Sequence, residues 1–236
     1  PTINYKFKKY TSIGNEELKA AERVIKKKEL SSFIAGNLEG GLFVKKFENY
    51  LEKFYKVKHA ITVNSWTSGL ICAVGALDIN PGDEIITTPW SMSASAISII
   101  HWNAIPVFAD IDPSTYCIDP ISIKKKITRK TKAILVVDIF GRGCDIPAIK
   151  KIIKGTNIKI ISDSAQSPYS IYKTKIVGTQ GDIGGYSLNC HKIINTGEGG
   201  VLVTNSDYFA RRMKLLRNHG ENYQLFKKKS DLNNMI

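Results

Sequence analysis

Apolar residues recur at helical spacing in the first part of the chain. Residues 14–29, GNEELKAAERVIKKKE, follow a helical period with acidic side chains in the first turn. In residues 42–55, LFVKKFENYLEKFY, the positions Phe43, Phe47, Tyr50, Leu51 and Phe54 repeat at three and four. That pattern predicts a second amphipathic helix. The intervening SSFIAGNLEGG (31–41) reads as a glycine-bearing loop. From residue 59 the rhythm changes. HAITV, DEIITT, IPVFAD, KAILVVDIF and IKIISD are short runs with strand character. Between them lie TSGLICAVGAL, SASAISIIHW, PISIKKKI and DIPAIKKIIKG, which read as helices. The strands are continuous apolar runs rather than alternating ones, so both faces of the sheet are covered. The expected fold is a three-layer α/β domain, a mostly parallel sheet flanked by helices. After residue 163 the rhythm breaks. GGYSL and GGVLVT leave little room for a helix between them and read as a closing hairpin-like pair. SDYFARRMKLLRNHG then predicts a last helix, and ENYQLFKKKSDLNNMI is a polar tail.

Composition refines this picture without overturning it. A chain of 236 residues with 43% hydrophobic and 23% charged residues has the make-up of an ordinary globular domain. It is long enough to bury a core without disulfide or metal staples. Cys72, Cys117, Cys144 and Cys190 form no CxxC pair, so no zinc site is expected, and they read as reduced thiols of a cytoplasmic protein. The N-terminal PTINYKFKKY lacks the apolar core of a targeting segment, and SASAISII is too short to span a bilayer. The net charge of +13 comes from 28 lysines and six arginines. Arginine is the residue suited to bidentate base and phosphate recognition. The lysines fall in short clusters with few interleaved aromatics, so nucleic acid is not expected as a partner.

Three short stretches carry candidate chemistry, all near strand ends, where ligands bind in parallel α/β sheets. In ITVNSWTSGL a strand ends at Val63, and Asn64, Ser65 and Thr67 open a helix whose free N–H groups would suit a phosphate. On its own this turn reads as an ordinary N-cap, which Ser and Thr favour anyway. In IKIISDSAQSP, Asp163 ends an apolar strand, where a carboxylate needs a positive or protonated partner or a capping role. In SLNCHKIINTGEGG, Lys192 sits between a strand and a cluster of glycines that admit close approach to a ligand. Alone it could be one more surface lysine. Together the three are the parts that hold pyridoxal phosphate: an amine to capture the cofactor, an acid to keep its ring nitrogen protonated, and a helix start for its phosphate.

With these residues in view, the sequence resembles the DegT/DnrJ/EryC1/StrS family of pyridoxal-phosphate-dependent sugar aminotransferases. The motifs that carry the resemblance include GLFVKKFENYL, VNSWTSGL, PGDEIITTPWSMSASA, AIPVFADIDPSTYCIDP, SDSAQS, GDIGGYSLNCHKIINTGEGGVLVT and LRNHG. The resemblance implies the type I (aspartate aminotransferase-like) fold and a homodimer. It implies amino transfer from an amino acid, glutamate, to a keto-sugar that is nucleotide-linked or acidic, in polysaccharide or amino-sugar biosynthesis. Lys192 would form the Schiff base and carry the proton, and Asp163 would pair with the pyridine nitrogen. Gln166 would lie at the ring's hydroxyl side. Trp66, Thr67 and Ser187 would contact the phosphate, and Met92 would cover the ring.

Three positions depart from the family's habit. Trp66 stands where a small residue is usual. Met92 replaces an aromatic, with Trp90 two residues earlier as a substitute. Leu188 replaces a common Phe. A dehydratase branch of the family carries His at the position of Lys192, which here follows His191. The resemblance also implies a division into a helical segment (1–57), a cofactor-binding large domain (58–220), and the start of a connection (221–236) to a smaller C-terminal domain that this chain lacks.

Overall fold

The computed structural model describes residues 13–28, 30 and 39–220. The polar tail, and residues 31–38 of the expected loop, lie outside the described residues.

The helices are α1 (Asn15–Lys27), α2 (Leu42–Tyr55), α3 (Trp66–Gly75), α4 (Ala94–Ile100), α5 (Pro120–Lys126), α6 (Ile146–Ile152) and α7 (Asp207–Arg217). The strands are β1 (His59–Val63), β2 (Glu84–Thr87), β3 (Ile105–Phe108), β4 (Thr131–Val137), β5 (Lys159–Asp163), β6 (Ile171–Tyr172), β7 (Lys175–Ile176), β8 (Ile183–Ser187) and β9 (Gly200–Thr204). Seven strands form one sheet in the order β1-β9-β8-β5-β4-β2-β3. The pairs from β3 through β8 are parallel, whereas β9 runs antiparallel to both β8 and β1. Six strands therefore point one way, and their carboxyl ends share one edge.

Alternation of side chains across the pleat divides the core in two. On β1, Ile61 faces the main cluster with Leu70, Ile85, Ile134 and Ile161, while Ala60 faces a smaller cluster. On β9, Leu202 belongs to the first and Val201 and Val203 to the second. The second cluster is closed by Leu51 and Tyr55 of α2, with Tyr55 stacked on Tyr186 at 4.2 Å. Helices α3, α4 and α7 pack together on the opposite face. Proline sits at the start of α5 and α6, each capped by an aspartate (Asp119, Asp145) whose carboxylate accepts from first-turn amides. α1, by contrast, buries none of its residues.

The alternating strands and helices appear where the apolar runs place them, and the hairpin-like pair is β8–β9. One expected strand is shorter than its apolar run. KAILVVDIF stops at Val137 because Phe140 takes φ 52° and Gly141 φ 82°, which no strand accommodates. A 3-10 turn, Ile139–Gly141, follows instead. The small β6–β7 hairpin was not expected from the sequence pattern. No helix among the described residues is long and apolar enough to cross a membrane.

Candidate active site

The carboxyl ends of β1, β5 and β8 and the loops that follow them enclose a cavity of ≈ 240 Å³. Its wall contains all seven candidates: Trp66, Thr67, Met92, Asp163, Gln166, Ser187 and Lys192. The sheet order explains the convergence, since segments far apart in sequence end on the same edge. A larger cavity of ≈ 860 Å³, bordered by Phe43, Phe47, Ile71 and Leu216, contains none of them.

Asp163 is the last residue of β5 and is 5% exposed. Its Oδ1 accepts from Trp66 Nε1 at 2.6 Å and from the Ala165 amide at 3.2 Å, and its Oδ2 accepts from Ser95 Oγ at 2.8 Å. Burial pushes its carboxyl above the ordinary carboxylate range. The bonds from Ser95, Trp66 and Ala165 and the charge of Lys192 pull the other way.

Helix α3 begins directly after β1. Ser65 caps it, taking the Ser68 amide on its hydroxyl at 3.1 Å and the Gly69 amide on its carbonyl at 3.0 Å. The amides of Trp66 and Thr67 stand in the first turn, where no intrahelical carbonyl reaches them. Together with the Thr67 and Ser187 hydroxyls in the same wall they form a donor set for an anion.

Lys192 lies on the loop joining β8 to β9, half-buried. The loop is folded on itself. The Leu188 amide donates to Gly199 O and the Thr196 amide to Leu188 O, both at 2.9 Å. Asn189 Nδ2 donates to Glu198 Oε1 at 2.6 Å, and the Lys192 amide donates to Asn189 O at 2.8 Å. Gln166 holds the next loop by accepting the Phe140 amide on Oε1 at 3.0 Å. Met92 is 70% exposed at the rim. Trp90 does not line the cavity; its ring pairs with Tyr116 at 6.3 Å.

The model of the DegT/DnrJ/EryC1/StrS aminotransferase family matches residues 11–234. The chain belongs to this family. The spore coat polysaccharide biosynthesis protein SpsC of Bacillus subtilis (strain 168) is 37% identical to it over 208 residues, 88% of this chain and 51% of that protein. GDP-perosamine synthase of Caulobacter vibrioides is 39% identical over 180 residues, 76% of this chain and 48% of that one. The X-ray structure of an aminotransferase from Psychrobacter cryohalolentis matches with a TM-score of 0.85 at 33% identity, over 94% of this chain and 55% of that one. Sugar dehydratases, one with hydrated pyridoxal phosphate bound, are also similar in structure. The fold is the type I fold of pyridoxal-phosphate-dependent transferases. The chain spans about half the length of the curated relatives it matches.

In this DegT-family chain several polar residues around the site went unassigned in the sequence. Ser95 holds Asp163, and Ser91 in turn meets Ser95 at 2.9 Å. Their only sequence signal is the motif SMSASA, which names no role. Asp138 is buried beside the site. It accepts from Ser164 Oγ at 2.6 Å and from the Cys144 amide at 2.8 Å. Burial pushes its carboxyl up to about 6, and the nearby Asp163 adds to the rise. Among the described residues no group of three or more His, Cys, Asp or Glu side chains could hold a metal ion.

Proposed function

We propose that this chain is the cofactor-binding part of a pyridoxal-phosphate-dependent aminotransferase that passes an amino group from an amino acid, glutamate, to a keto-sugar. The observation that carries the reading is that Lys192, Asp163 and the start of α3 share one small cavity. Its ≈ 240 Å³ lies just below the range of about 300–1,000 Å³ usual for drug-sized ligands, which suits a single-ring phosphate. The donor set fits the same group. First-turn amides and the Thr67 and Ser187 hydroxyls face one part of it, and a buried carboxylate faces another.

Bound there, pyridoxal phosphate supplies an electron sink next to the carbon that gains or loses nitrogen. Trp66, Thr67 and Ser187 would hold the phosphate, and Asp163 would hold the proton on the ring nitrogen. Gln166 would serve the ring's hydroxyl side, and Met92 would cover the ring. Lys192 would supply the amine for the cofactor's carbonyl and would move a proton at the reacting carbon. Residues 58–220 form the cofactor domain in this reading, with residues 1–57 before it and 221–236 leading away. The sugar is nucleotide-linked or acidic, and the pathway makes amino-sugars or surface polysaccharide in the cytoplasm. The working form is a homodimer, in keeping with exposed Trp90, Met92, Tyr116 and Phe140 near the cavity.

Mixing the protein with pyridoxal phosphate and fixing with borohydride should leave the cofactor's mass on the peptide bearing Lys192. Lys192→Ala should abolish both the adduct and the visible absorbance band. An adduct unchanged in that variant would remove Lys192 from this role. Release of a deoxy-keto sugar without conversion to an amino-sugar would favour a dehydratase instead.

A further inference from the structure

Trp66 is the first residue of α3, but its side chain turns into the sheet. The indole is 5% exposed. It passes over β8 where that strand carries no side chain, and its backbone lies close against β9 at a second glycine. A Cβ on Gly185 would lie 2.2 Å from Trp66 Cζ3, and one on Gly200 would lie 2.7 Å from the Trp66 backbone nitrogen. The ring is thus held so that Nε1 meets Asp163 Oδ1 at 2.6 Å. An indole N–H can only donate, and a carboxylate offers about four acceptor sites. Two on Oδ1 are taken by Trp66 and Ala165, and one on Oδ2 is taken by Ser95. The remaining site is on Oδ2 of a carboxylate that lines the cavity.

We infer that Trp66 is a positioning residue: its indole N–H holds Asp163 ionised and turned so that Oδ2 is presented to a protonated ring nitrogen in the cavity. This rests on reading the cavity as the pyridoxal-phosphate site. A small residue at position 66 could not reach the carboxylate. The donor lowers the proton affinity of Asp163, so a proton shared with a ring nitrogen stays on the ring. The titratable groups around Asp163 are Asp138 at the end of β4, and Lys192, His191 and Glu198 on the β8–β9 loop.

Two measurements test it. In the protein without cofactor, the Trp66 indole resonance in a 1H–15N spectrum should lie downfield and move with pH as Asp163 titrates. In Asp163→Asn that pH dependence should vanish. A Trp66 resonance indifferent to pH in the wild-type chain overturns the inference without any need of a variant. With cofactor, Trp66→Phe keeps the packing and deletes the donor. It should bind pyridoxal phosphate at least about tenfold more weakly. The bound absorbance should also change at a pH lower by about one unit. An unaltered pH profile in a folded Trp66→Phe protein overturns the inference as well. Wild-type protein with a titrating indole that takes up no cofactor overturns the assignment of the cavity, while the Trp66–Asp163 link stands on the indole titration.

Discussion

Asp138 and Asp163 end adjacent strands, and the Asp138 amide donates to Asp163 O at 2.9 Å. Both carboxyls are held above their ordinary range by burial, Asp138 at about 6. A carboxyl raised on folding binds its proton more tightly in the native state. Its stabilising effect is complete below the unfolded value near 3.8 and is lost as pH rises through about 6. At about 1.4 kcal/mol per pH unit, the loss from Asp138 amounts to about 3 kcal/mol. Asp138→Asn cannot titrate. Urea midpoints measured from pH 4 to pH 7 should show the wild type falling relative to the variant by an amount of that order. Asp163 and Lys192 stood out in the sequence because one ends an apolar strand and the other lies between a strand and a cluster of glycines. The Trp66–Asp163 and Ser95–Asp163 bonds were not, since their partners are 97 and 68 residues apart and only the strand order brings them together. The direction of the Trp66 side chain was equally hidden, because position 66 read as backbone of a phosphate turn.

Elements are joined by a buried ion pair. Glu48 of α2 and Arg217 of α7 meet at 2.8 Å with side chains 8% and 7% exposed. Glu48 Oε1 also accepts from Thr62 N at 2.8 Å and Thr62 Oγ1 at 2.9 Å, and Arg217 Nη1 donates to Thr62 O at 3.0 Å. Helices on opposite faces are thus tied through the edge strand β1. Removing one partner leaves a buried charge behind, which costs about 3–5 kcal/mol. Glu48→Ala should lower the unfolding free energy by that amount in a denaturant titration, while Glu22→Ala on α1, whose bridge to Lys26 is exposed, should change it by less than about 1 kcal/mol. The motifs GLFVKKFENYL and LRNHG contain Glu48 and Arg217, yet nothing in their local pattern says that they face one another. Period alone placed the helices and strands, because apolar runs and amphipathic repeats are local signals. The turn at 139–141 escaped because Ile139 and Phe140 look like strand residues, and their conformation is set by the Asp138 and Gln166 side chains around them.

For the whole molecule, cofactor binding should appear as added stability. A ligand at a hundred times its dissociation constant contributes about 2.7 kcal/mol. In a chain of this size that raises the melting temperature by roughly 5–10 °C. Differential scanning fluorimetry with saturating pyridoxal phosphate should show this rise in the wild type and a clearly smaller one in Lys192→Ala. An equal rise in both proteins would mean that the stabilising site lies elsewhere.

The pairing of β1 with β9 has a consequence for synthesis. β1 is the first strand of the sheet to leave the ribosome, and its hydrogen-bonding partner is the last, Val63 waiting for Gly200. At about 5–20 residues per second the wait is roughly 7–30 s. During that time the edge of β1 is unpaired, and Trp66 lacks both Gly185 and Gly200. The cavity is therefore assembled only after the whole sheet has been translated, and its ligand can be captured only from that point on. A nascent chain halted before residue 200 would carry a bare strand edge, the state in which a holdase chaperone should bind it most strongly.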